Sequence, residues 1–202
     1  MTYLETRGSE AELALEKINS AFNAFSSFYG RLIEKGINET KYGKVFADIT
    51  AAFQELYATA KSNYDALRLN SRQFEEGRLE KDAFERSLAR IKRYIIKAEF
   101  DIGVKILPYL KKAEKEMLQD HIVKPIETTD MPKDDKQMAM EEVKKIETSM
   151  RLAEKKGPFD QINEYVAAGE KIIEVGEIIR NYVDKTAPVG QTTLSLGMFG
   201  AP

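Results

Sequence analysis

Residues 84–106 read FERSLARIKRYIIKAEFDIGVKI, and the spacing of their apolar positions decides the fold. Phe84, Leu88, Ile91, Ile95, Ala98, Ile102 and Ile106 recur every three or four residues, the period that lines one face of an α-helix. The same stretch carries Arg86, Arg90, Lys92, Arg93 and Lys97, the most basic run in the chain. A solvated face is the plainer reading of those cations, because Glu85 and Glu99 flank them. The functional reading makes Arg90, Arg93 and Lys97 contacts for an acidic partner or a lipid head group.

Upstream, the helical pattern fades between Leu69 and Gly77, where Asn70, Ser71 and Gly77 supply turn chemistry. Before it, Tyr42, Val45, Ile49, Phe53, Leu56, Ala60 and Leu67 predict a long helix with Asn38 as its cap. Gly36 offers a left-handed end to an earlier helix carrying Leu15, Ile18, Phe22, Phe25, Tyr29 and Leu32, with Ser9 to Glu12 as its capping box. The aromatic set Phe22, Phe25, Phe28 and Tyr29 suits core filling better than a ligand pocket.

Downstream, Pro108 lacks an N–H and its ring clashes with the preceding turn, which predicts a kink or break and two helical pieces. The second piece carries Tyr109, Leu110, Ala113, Met117 and His121, and the stretch from Lys124-Pro125 to Met131-Pro132 reads as the clearest loop. Ala139, Val143, Ile146, Met150 and Ala153 mark the next helix, stopped by Lys155-Lys156-Gly157-Pro158. In the last helix Ile162, Gly169, Gly176 and Val183 fall at seven-residue intervals beside Tyr165, Ile172 and Ile179. Two glycines on a buried seam predict close approach to a neighbouring helix.

From Thr186 to Pro202 there is no charged residue, and Pro188, Gly190, Gly197, Gly200 and Pro202 forbid a regular helix. Leu194, Leu196, Met198 and Phe199 then read either as a docking arm or as a disordered end. The fold class expected is all-α, an antiparallel bundle of about five or six helices with an extended C-terminal tail. Three segments are expected: an N-terminal helical pair over 1–77, a bundle over 78–185 packed with it as one unit, and an uncharged arm over 186–202.

Composition narrows the function classes. The 202 residues include 31 basic and 33 acidic side chains, a net charge of −2, which disfavours nucleic acid as a partner. No apolar stretch reaches the length of a membrane span, and the first residues lack the order of a secretory signal. With no Cys and one His, the usual nucleophile–base pairs are scarce, and Gly43-Lys44 lacks the loop of a phosphate-binding motif. His121 has no acid at the offsets a bundle metal site uses, and Glu114, Glu116 and Asp120 alternate with lysines like a solvated face. No cofactor or metal is expected, and the expected role is a non-enzymatic structural subunit binding a larger protein complex, with reversible lipid-surface binding as the alternative and an enzyme with an unconventional site as the last of the three.

Three marks in order sharpen this. Ile106-Leu107-Pro108 stands at a helix end, Pro132-Lys133-Asp134-Asp135-Lys136 joins two helices, and Lys156-Gly157-Pro158 precedes the last. From Leu79 onward this layout resembles the PsbQ-like extrinsic subunits of photosystem II, whose marks are a Trp-Pro break, a Pro-Lys-Asp-Glu-Lys connector and a proline-containing turn. Leu107 stands where that family has Trp, and the residues before about Arg78 have no counterpart. The resemblance implies a non-catalytic four-helix bundle on the thylakoid lumen side, capping membrane-embedded photosystem subunits. Without it, the expected compartment is the cytoplasm.

Overall fold

A computed structural model describes the backbone of residues 3–36 and 40–186 and the side chains of 8–36 and 40–182. Helix α1 spans Tyr3–Glu34, α2 Gly43–Glu75 and α3 Lys81–Asp101. A π turn, Ile102–Ile106, leads into α4, Leu107–Leu118; a second, Gln119–Val123, leads into α5, Lys124–Thr128. Helices α6, Lys133–Ala153, and α7, Pro158–Thr186, complete the described chain, which contains no strand.

Successive rods reverse direction. Phe25 meets Phe53 and Phe28 meets Phe46, so α1 and α2 are antiparallel. Asn70 meets Ser87 and Leu56 meets Tyr94, so α2 and α3 are too. With five rods the first and last point the same way. Lys17 pairs with Asp160, Arg31 with Glu170 and Lys35 with Glu177, so residue numbers rise together along α1 and α7. These pairs are partly exposed, and each contributes about 0–1 kcal/mol.

Both prolines after the π turns are kept inside helix. The Leu107 N–H donates to Ile102 O and the Lys124 N–H to Gln119 O, one residue further back than in an α-helix. That extra residue widens the turn where Pro108 and Pro125 supply no donor and crowd the preceding carbonyls. Of the kink or break expected at Pro108, the structure shows no break: two α-helical pieces, α3 and α4, are joined through a π turn, helical backbone runs on from Lys81 to Thr128, and the loop expected from Lys124 shrinks to residues 129–132.

Two turns follow glycine chemistry as expected. Gly36 and Gly77 have φ of 71° and 70°. At the second, Arg78 N–H donates to Gln73 O and Gly77 N–H to Phe74 O, the paired bonds that close a helix end around a left-handed residue. The capping box at Ser9 does not form, because Ser9 lies inside α1, six residues past Tyr3, where its backbone N–H already has a helical place. Asn38, expected to cap α2, lies outside the described residues.

One contiguous core takes side chains from every long helix, among them Leu15, Phe25, Phe53, Ile91, Ile102, Met117, Ile146 and Ile172. Burying each such side chain is worth about 1.5–3 kcal/mol. The aromatic set belongs to this core: Phe25 and Phe28 are fully buried, while Phe22 stacks on Tyr57 with ring centroids 4.3 Å apart. Val45, expected in the α2 stripe, packs partly buried against the core, and its neighbour Phe46 is fully buried three and seven residues before Ile49 and Phe53. Tyr109, expected inward, is 56% exposed, since Leu110 holds the core position beside it.

Candidate docking face

Opposite its buried stripe, α3 presents Arg86, Arg90, Arg93 and Lys97 to solvent, followed along the same face by Phe100 and Val104. Ile96 stands at the edge of this row. Spacings of three and four keep these residues on one side of the helix. Phe100 and Ile96 are each 66% exposed and Val104 is 53% exposed, so three large apolar side chains stand together in solvent. Among the described residues none of the four cations has an acidic oxygen within 4.0 Å. Of the two flanking acids, Glu85 faces Lys81, and further along the chain Asp101 holds Lys105 at 3.0 Å.

The local electrostatics are unfavourable to the helix itself. Arg86 and Arg90, then Arg93 and Lys97, are like charges four residues apart, each pair costing about 0.2–0.5 kcal/mol. An anionic surface laid on this face would remove that repulsion, and the apolar end would gain burial at the same time. The structure thus gathers the expected Arg90, Arg93 and Lys97 and adds three apolar neighbours. Those three were legible as the surplus hydrophobic positions 96, 100 and 104 outside the 84–106 stripe. The other expected contacts, Leu194, Leu196, Met198 and Phe199, lie outside the described residues.

The acids of α4 and its flanking turn separate into two environments. Glu116 and Asp120 face Lys41, and Asp120 also meets Lys124 at 2.6 Å and accepts the Tyr42 hydroxyl hydrogen bond. Burial alone would raise the Asp120 pKa, but hydrogen bonds from Lys124, Lys41 and Tyr42 outweigh it and hold the carboxyl well below the usual range. Burial and the Asp120 contact push the Tyr42 hydroxyl up. This network ties the start of α2 to the second π turn.

Glu114 corrects the expectation of a solvated acidic face. Its carboxyl is fully buried, with no hydrogen-bond partner among the described residues, and burial holds its pKa well above the usual value. It lies beside Gly169, where α4 and α7 cross under the Phe28 ring. His121 is 8% exposed, near the Tyr42 ring and the backbone of Gly176, and burial depresses its pKa against the opposing charge of Asp120. The recess beside it holds about 10 Å³, the space of roughly one water. Among the described residues no three His, Cys, Asp or Glu side chains group closely enough to hold a metal ion. No described helix is long and apolar enough to cross a membrane.

Compared with known proteins, the chain matches no family model, no curated protein and no solved structure.

Proposed function

We propose that this protein is a non-enzymatic accessory subunit that docks on an acidic surface of a larger protein assembly through the outer face of α3. The observation that carries the reading is the row Arg86, Arg90, Arg93, Lys97, Phe100 and Val104, basic at one end and apolar at the other, with no acid against its cations. Cations of this kind steer encounter and fix orientation, while the apolar end gives an anchor to bury. A PsbQ-like lumenal subunit of photosystem II is the narrowest form of the reading. It is supported by the order of the Pro132–Lys136 and Lys156–Pro158 connectors, and co-sedimentation with photosystem II membranes tests it separately.

The test is recovery of the native assembly with the unmodified chain and with an Arg90→Glu/Arg93→Glu double variant. Loss of the partner by the double variant, with retention by Leu69→Glu on the exposed side of α2, is the expected result. Equal recovery by both variants would remove the assignment.

A second reading rests on the same side chains. Exposed Ile96, Phe100 and Val104 beside arginines also suit an anionic lipid surface. Flotation with vesicles containing phosphatidylserine decides it: binding abolished by the double variant favours lipid, and no binding leaves the protein partner.

A further inference from the structure

Between the first half of α6 and the last turns of α7 lies a groove of about 650 Å³. Ala139, Val175 and Ile179 form its floor, and Met131 and Tyr182 close one end. Its walls are Met138 from α6 and Ile178 from α7, 66% and 65% exposed. Two large apolar side chains raised on either side of an apolar floor are costly to leave in water. The groove is on different helices from the α3 face and does not depend on its role.

The geometry points to the chain's own C-terminal segment, residues 191–199, as the occupant of this groove. Helix α7 ends at Thr186, one turn beyond Tyr182, so the segment starts beside the end of the groove that Met131 and Tyr182 line. Pro188 and Gly190 are residue types suited to a reversal of direction. From Val175 to Tyr182 the groove runs about 10 Å at the helical rise of about 1.5 Å per residue. The eight residue steps from Thr186 to Leu194 reach up to about 26 Å, so the segment returns over the groove without strain. Leu194, Leu196 and Met198 alternate with Ser195 and Gly197, and an extended chain puts those three apolar side chains on one side. The segment carries no charge that burial would desolvate, whereas Asp135, Glu141, Glu142 and Lys145 remain at the rim in water. Covalent attachment gives the segment an effective concentration of order millimolar, which favours it over a second copy at ordinary dilution.

The absence of Cys makes the test direct. Met138→Cys and Leu196→Cys are introduced together into the full chain and treated with a short bismaleimide at micromolar protein. Leu13→Cys with Leu196→Cys, whose first site is an exposed position on α1, is the control. The expected result is a cross-link within one chain, formed roughly tenfold faster than in the control. Adding Ile178→Glu, an exposed position that leaves the core untouched, is expected to bring the rate down to the control value. Cross-linked dimers would overturn the assignment in favour of exchange between copies. A rate equal to the control, or one unchanged by Ile178→Glu, would overturn it outright.

Discussion

Gly169 and Gly176 sit seven residues apart on the buried face of α7, yet they respond to different neighbours. A Cβ built on Gly169 falls 2.5 Å from Phe28 Cζ, on a ring that is itself fully buried. Gly169→Ala gains about 1 kcal/mol of helix propensity but forces an overpacking cost of about 1–3 kcal/mol, so a net loss is expected. At Gly176 the nearest atoms, Cβ and O of His121, lie at 3.5 Å, an ordinary contact. Gly176→Ala should therefore raise stability by up to about 1 kcal/mol, and urea unfolding of the two variants gives the opposite signs directly. The sequence pattern predicts the shared seam; which of the two positions requires glycine depends on the partner across it, information held by α1 and not by α7.

Glu114 supplies the clearest pH-dependent effect. In the unfolded chain its carboxyl ionises near a pKa of about 4.3, whereas burial keeps it protonated to higher pH in the folded state. Its contribution to stability is thus fullest below about 4.3 and declines as pH rises from there toward the raised folded value. Glu114→Met, similar in length and without a polar group to bury, is expected to stabilise the fold by about 1–3 kcal/mol at pH 7. That gain should shrink below pH about 4, which thermal unfolding at both pH values measures. Asp120 acts with the opposite sign: its depressed pKa adds stability above the ordinary carboxylate range, lost as pH falls toward the folded value. Glu114 was readable as an inward position, four residues after Leu110 and three before Met117. The lysines at 111, 112 and 115 obscured it by making the local composition look solvated.

At the scale of elements, helix stops were more legible than helix continuations. Gly77 closes α2 because its φ of 70° suits a residue without Cβ. Gly77→Ala should destabilise by about 1 kcal/mol, seen as a Tm lower by roughly 2–4 °C. Likewise Lys156-Gly157-Pro158 ends one helix and starts the next as its residues dictate. Pro108 and Pro125 misled because proline forbids one hydrogen-bond pattern without naming its replacement. A π turn before each keeps the backbone helical, and α4 with these turns packs against α2 and α7. The Pro132–Lys136 connector obeys simple helix-start chemistry, with Pro132 at the cap and Asp134 and Asp135 in the first turn, where the helix dipole favours acids.

On the scale of the whole molecule, helical periodicity carried the architecture, since a core of greasy side chains leaves five rods little choice but to pack together. Function was less legible because a docking face is defined by what does not bury, and a sequence stripe reports chiefly what does. Reversing Arg90 and Arg93 to Glu places opposite charges four residues from Arg86 and Lys97, so the double variant should unfold at the same Tm or slightly higher. Its loss of a partner would then be loss of binding surface, not of fold. The most direct measurement is photo-cross-linking from a benzophenone side chain at Phe100 in the native source, with Leu69 as the equally apolar control. A single protein adduct from position 100 and none from position 69 is the predicted result. Equal labelling from both positions, or no protein adduct from position 100, would contradict docking through α3.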